Sequence, residues 1–262
     1  MPDTLYVAWQ DGTTRRWHTI ARLQKQGGGY QFVFTKGISV LANLARQLFD
    51  MDSGDIYRFT DLIPLFKSRM LSTNRTDYKR IADWVGISPE DEEFDRLYKL
   101  GLIPGSDSML FYPAPDFSDG KYKLSFFVHS IKYMHNDARL WCLEASPGSK
   151  LCPLLDVQNC ADSNAVALKC PNDNVIIGYV PAFYARDLKF IFSNEECAKR
   201  AEILVSRNNK DAPDQLRLMC ELVTPVPVGF IPLDTQEHLP NVRPDSQVTA
   251  YNNHNAQAVA FA

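Results

Sequence analysis

A chain of 262 residues that is 45% apolar with a formal net charge of −3 is long enough to bury one or two cores and too apolar to remain disordered. No apolar run reaches the roughly 18 residues that a membrane-crossing helix needs, and the opening segment lacks the apolar core of a secretory leader, so no membrane partner and a cytoplasmic address are expected. A protein that coats long duplexes by neutralising phosphates needs a strongly basic surface, yet the most basic stretch, residues 121–224, carries only 13 basic against 12 acidic side chains.

In chain order, residues 5–8, 16–23 and 30–35 alternate or cluster apolar side chains around polar turns, which predicts a small antiparallel sheet with Q-G-G-G as a hairpin loop. The glycine run is no phosphate cradle, because no Lys-Ser or Lys-Thr follows it and no helix opens on it. Spacing of Leu41, Leu44, Ala45 and Leu48 predicts a helix over 38–49. Further helices are expected over 62–70, 76–85 and 89–100, the last with Ser88 as N-cap, Pro89 at the first helical position and acidic residues in the first turn. Residues 110–112 fit a closing strand.

These segments, ARLQKQGGGYQFVF, IPLFKSRML and IADWVGI ahead of EEFDRLYKLG, resemble the N-terminal subdomain of HipA-type kinase toxins. That subdomain lacks the kinase catalytic residues and packs on the kinase core. The resemblance implies that residues 1–115 form an α+β interaction domain with a protein partner. The prolines and turn formers of 112–120 mark a boundary.

The second part opens on an apolar strand over 122–133, with Lys132 and Tyr133 emerging at its end. Residues 151–155, 165–169 and 175–180 read as strands. Gly178 marks a bulge or a close backbone approach, and 182–192 has helical spacing after Pro181. Two more strands, 201–207 and 216–224, complete the unit, and the proline-rich remainder, 225–262, reads as an extended arm followed by a loose tail. Between the first two of these strands, Asp156, Gln158, Asn159, Asp162, Ser163 and Asn164 crowd one turn. Such side chains either brace their own loop or present polar groups to a ligand.

The order D-x-x-N-x-x-D-x-N-A-V-A-L, then I-G-Y-V-P and a helix, resembles the HIRAN domain over about 122–224. The resemblance implies an α+β chain whose second domain, 121–224, is a small β-barrel with one or two short helices. It also implies a binding role, in which family members grip single-stranded DNA at a free 3′ hydroxyl end. Carried over by position, Lys132 would pair a phosphate, Tyr133 would stack on a base, Asn159 and Asp162 would meet the terminal nucleotide, and Tyr179 would face the pocket. A carboxylate at Asp162 can accept from a terminal hydroxyl and repel an internal phosphate, which would explain a preference for ends. DNA-binding relatives carry an aromatic residue where this chain has Ala161, so a stacking platform is missing; Phe183 or Tyr184 could stand in for it.

No cofactor is expected. The six cysteines never form a C-x-x-C pair, which excludes a zinc ribbon and predicts reduced, buried thiols. His129 and His135 flank the strand, but no nucleophile elbow accompanies them, so both are assigned to packing or surface and the chain is read as a non-enzyme. The preferred expectation is a module for single-stranded DNA ends that recruits a protein partner in DNA repair or bacterial defence. The alternative is an antitoxin or adaptor of a HipA-like kinase or another effector, without DNA binding.

Overall fold

A computed structural model describes residues 3–41, 43–101, 103, 108–172, 174–246 and 248–250. Two compact units divide the chain, residues 1–114 with 234–262, and residues 115–233. The second is therefore inserted between two segments of the first.

In the first unit the strands are β1 (Thr4–Gln10), β2 (Trp17–Gln26), β3 (Gly29–Phe34), β4 (Ile56–Phe59) and β5 (Met109–Pro113). The β2–β3 hairpin turns on Gly27 and Gly28, both at positive φ (59° and 81°), the backbone of a two-residue turn whose twist suits antiparallel strands. Alternation along each strand puts Leu5, Val7, Leu23, Phe32, Phe34, Phe59 and Phe111 into one core. Against it lie the helices α1 (Leu44–Phe49), α2 (Pro64–Lys67) and α4 (Glu93–Gly101), while α3 (Tyr78–Val85) buries Ala82 and Val85. Phe66 of α2 meets Phe111 edge-on at 5.1 Å between ring centroids, and α4 adds Phe94 and Leu97, three residues apart and fully buried.

Three helices differ from the sequence expectation, the one expected over 62–70 being only the four-residue α2, Pro64–Lys67. The helix expected over 38–49 is a 3-10 turn, Lys36–Val40, followed by α1. Asn43 at φ 71° separates them, because a left-handed residue cannot continue a right-handed helix. The helix expected to open at Pro89 begins instead at Glu93. The Asp91 carboxylate accepts from the Ser88 amide at 2.8 Å and pairs with Lys99 at 2.6 Å, closing 88–91 as a separate turn.

Residues beyond Leu233 depart further from the extended arm expected of them. The Lys36 amide donates to the Leu239 carbonyl and the Asn241 amide to the Phe34 carbonyl, both at 2.8 Å. The 9%-exposed His238 lies 2.9 Å from the Tyr112 hydroxyl, which lies 2.6 Å from Thr19 Oγ1. A polar clasp of this kind joins residues 93 and 126 positions apart, so local composition gives no hint of it. Strand β13 (Val248–Ala250) then pairs parallel to β4. The tail over 251–262 lies outside the described residues.

The second unit contains, in order, β6 (Asp116–Ser118), β7 (Lys121–Phe127), α5 (Asn136–Glu144), β8 (Lys150–Leu155), β9 (Val166–Lys169), β10 (Ile176–Tyr179), α6 (Ala182–Phe192), α7 (Glu195–Arg200), β11 (Glu202–Asn208) and β12 (Leu218–Pro225). Its sheet runs β10-β9-β8-β11-β12-β7-β6. Just past β7, His129 and Tyr179 exchange both backbone hydrogen bonds at 2.9 Å, so the chain leaving β7 meets β10. Gly178 makes that approach possible: a Cβ there would stand 2.5 Å from the His129 carbonyl oxygen. The register also shifts between Ile176 and Gly178, so both meanings of an in-strand glycine hold at once. The strand expected over 122–133 ends at Phe127. Ser130 at φ 67° turns the chain, and Lys132 and Tyr133 lie on a 3-10 turn, Ile131–Tyr133, rather than at a strand end.

Candidate functional site

Asp156 organises the polar turn. Its Oδ2 accepts from the Tyr179 hydroxyl at 2.8 Å and from Asn159 Nδ2 at 3.1 Å. Asn159 Oδ1 accepts in turn from the amides of Ala161 and Asp162, both at 3.0 Å, and Asp162 Oδ1 accepts from the Asn164 amide at 2.8 Å. The loop ends are tied by the Asp156 amide to the Ala165 carbonyl and by the Ala165 amide to the Asp162 carbonyl, both at 3.0 Å. From α6, Lys189 Nζ donates to the Ser163 carbonyl at 2.7 Å. The side chains of Asp156, Asn159 and Asp162 thus each satisfy a backbone or side-chain donor that a tight loop would otherwise strand.

The electrostatics follow from these bonds. The Tyr179 hydroxyl, and after it the Asn159 amide, hold the Asp156 carboxyl below the ordinary carboxylate range. Burial, together with the bond to Asp156, pushes the Tyr179 phenol up. The pair is therefore an ionised carboxylate facing a neutral hydroxyl at neutral pH.

Lys132 and Tyr133 form a second cluster. The ammonium lies 4.5 Å from the Tyr133 ring centroid, and the ring is 72% exposed, a large aromatic surface left to water where most are buried. The structure thus joins Tyr179, Asn159 and Asp162 through Asp156 and pairs Lys132 with Tyr133. The backbone bridge between His129 and Tyr179 brings the two clusters near each other. Ala161 is exposed and offers no ring, while its neighbour Val157, 78% exposed, is the apolar group the turn presents.

Two positions escaped the sequence reading. Asp156 belongs to the motif, yet nothing in the spacing makes it the hub rather than Asp162. Lys189 reaches the turn from 26 residues away, a contact that only the packed helix creates.

His129 packs edge-on against Phe183 at 6.2 Å, as the packing assignment expects. Burial pushes its imidazole down to about 4. The unfolded chain binds this proton near 6.5, so the stability the neutral ring contributes is complete above about pH 6.5 and lost as the pH falls toward about 4. Urea midpoints measured across that range should fall in the natural protein and change less with pH in His129→Gln. His135 is an exposed cap of α5, paired with Asp137 at 3.1 Å. All six cysteines are free; Cys142, Cys170, Cys197 and Cys220 are buried as expected, but Cys152 is half-buried and Cys160 stands exposed in the polar turn. Burial raises the thiols of Cys142 and Cys220 to about 12, which leaves them inert. Among the described residues no group of three or more His, Cys, Asp or Glu side chains is placed to hold a metal ion, and no helix is long and apolar enough to cross a membrane.

Residues 121–227 match the HIRAN domain family. Two solved structures are similar over part of the chain. The crystal structure of the HIRAN domain of human HLTF is 17% identical, with a TM-score of 0.31 over 41% of this chain and 81% of that one. A crystal structure of a protein from Lactobacillus plantarum is 14% identical, with a TM-score of 0.33 over 40% of this chain and 97% of that one. No curated protein matches the chain.

Proposed function

We infer, from the HIRAN domain that residues 121–227 form, that the chain is a binding module for single-stranded DNA ends, taken at the corner where the 3-10 turn, the polar turn and β10 meet. The pairing of His129 with Tyr179 brings the chain leaving β7 to β10, which supports the small barrel expected of the family with the two clusters at one corner of it.

The observation that carries this reading is the exposed Tyr133 ring with Lys132 across it. An aromatic side chain held by a cation on one face keeps the other for a base, and the ammonium stays near enough to meet the phosphate that follows. Asp162 uses Oδ1 within the turn, so its other oxygen accepts the terminal 3′ hydroxyl. The Tyr179 hydroxyl, which donates to Asp156 and meets the Asn159 side chain, faces the sugar or base. A bound module of this kind recruits a protein partner through the first unit to damaged, replicating or invading DNA.

Fluorescence anisotropy with short single strands tests the reading. A strand with a free 3′ hydroxyl should bind more tightly than the same strand with a 3′ phosphate. Because few phosphates are met, the affinity should fall only weakly with salt, with a slope of about −1 to −2 on logarithmic axes at about −0.7 per phosphate. No binding of either strand at low salt contradicts it.

A second reading is favoured by a different observation: Ala161 leaves the turn without a ring, and Asn159 is largely spent on the loop itself. On that reading the chain is an antitoxin or adaptor of a HipA-like kinase or another effector and takes no DNA. Copurification of a kinase-like or effector partner, without nucleic acid, would favour it.

A further inference from the structure

The chain leaves the second unit through a strained residue. Leu233 has a φ of 54°, a left-handed backbone that residues other than glycine rarely adopt, and yet its side chain is only 6% exposed. Its amide donates at 2.9 Å to Asp187 Oδ2, a carboxylate on α6 that is itself 6% exposed. The Tyr122 hydroxyl donates to the same oxygen at 3.4 Å. A buried carboxylate is costly unless donors compensate it, so burying one where a strained backbone amide meets it makes the two features depend on each other. If Leu233 relaxes, Asp187 loses a donor; if Asp187 withdraws, the Leu233 amide loses its acceptor.

The helix that carries Asp187 also touches the candidate strand-end corner. Phe183, Asp187 and Phe190 stand at i, i+4 and i+7 on one face. Phe183 meets the His129 ring at 6.2 Å, and Phe190 stacks on Phe230, three residues before Leu233, at 5.9 Å. From the same helix Lys189 holds the Ser163 carbonyl of the polar turn. One rigid element of eleven residues is thus bonded at one side to the loop that would grip a nucleotide and at the other to the segment through which the chain returns to the first unit.

We infer that Asp187 and Leu233 form a latch at this exit, and that α6 couples the latch to occupation of the corner, so that a bound strand end is reported to the first unit. The inference rests on the strand-end reading of the site. A terminal nucleotide against residues 156–164 tightens the turn, Lys189 transmits that constraint to α6, and the helix holds Asp187 against the Leu233 amide. By linkage the reverse also holds: securing the latch raises affinity for the strand end by the same factor.

Hydrogen exchange at the Leu233 amide in the full chain, with and without a saturating oligothymidine bearing a free 3′ hydroxyl, tests this. Exchange should slow by about fivefold or more on binding, a coupling at the modest end of the usual range. In Lys189→Met the strand should still bind, weakened by up to about the fivefold that the lost coupling supplied, but the slowing should vanish. A natural chain that binds the strand by anisotropy while Leu233 exchanges at an unchanged rate overturns the latch and leaves the site reading intact. Persistent slowing in Lys189→Met overturns the route through α6. Absence of binding by anisotropy overturns both the site reading and the latch built on it.

Discussion

Replacing Tyr133 by alanine should weaken binding of a single strand with a free 3′ hydroxyl by about 10- to 100-fold, the equivalent of losing one base stack worth about 1 to 3 kcal/mol. The ring is 72% exposed, so the same substitution should leave the thermal midpoint of the protein almost unchanged. That combination separates a ligand platform from a packing residue, which would lose stability first. Asp162→Asn added to it keeps an acceptor for the Asn164 amide and removes the charge. The double variant should therefore also lose its preference for a hydroxyl over a phosphate at the strand end, as read by anisotropy with the two strands in parallel.

The largest loss of stability is expected from Gly178→Ala. A Cβ at this position would lie 2.5 Å from the His129 carbonyl oxygen and 2.5 Å from Val128 Cγ1. Neither neighbour is the far end of a flexible chain, so the backbone pairing of His129 with Tyr179 must open. Overpacking of this kind costs about 1–3 kcal/mol in a core and more where backbone is displaced. Urea denaturation should show the second unit losing on the order of 3 kcal/mol. Gly12→Ala, where no atom lies within 4 Å, serves as the control and should change little. Because Tyr179 would move with the bridge, Gly178→Ala should also release its hydroxyl from Asp156 and lower strand affinity in whatever fraction remains folded.

The second unit was more legible in its sequence than the first because its strands announce themselves. Residues 151–155, 165–169 and 175–180 are short apolar runs bounded by turn formers, and β8, β9 and β10 fall within a residue or so of them. The helix expected over 182–192 is α6 to the residue, since Pro181 fixes its start. Helix α5 was not foreseen: Leu140 and Leu143 are exposed while Ala138 and Cys142 are buried, which scrambles the apolar period that marks a helix. The early end of β7 depends on Ser130 at φ 67°, a conformation that composition does not reveal. In the first unit, the break at Asn43 is set by one left-handed residue and the turn at 88–91 by the contacts of Asp91 with Ser88 and Lys99. Of the site, the polar turn and Gly178 could be read directly. The hub role of Asp156, the reach of Lys189 and the return of residues 234–250 to the first unit could not, because each depends on partners distant along the chain.

The central claim, that the corner formed by the 3-10 turn, the polar turn and β10 receives the end of a single strand, is tested most directly by mapping amide chemical shifts while a short oligonucleotide with a free 3′ hydroxyl is titrated into the isotopically labelled chain. The account predicts saturable shifts concentrated at residues 131–134, 156–164 and 178–180, and smaller ones when the strand ends in a phosphate. Shifts that leave these three segments untouched, or that gather instead on residues 3–101, would contradict it.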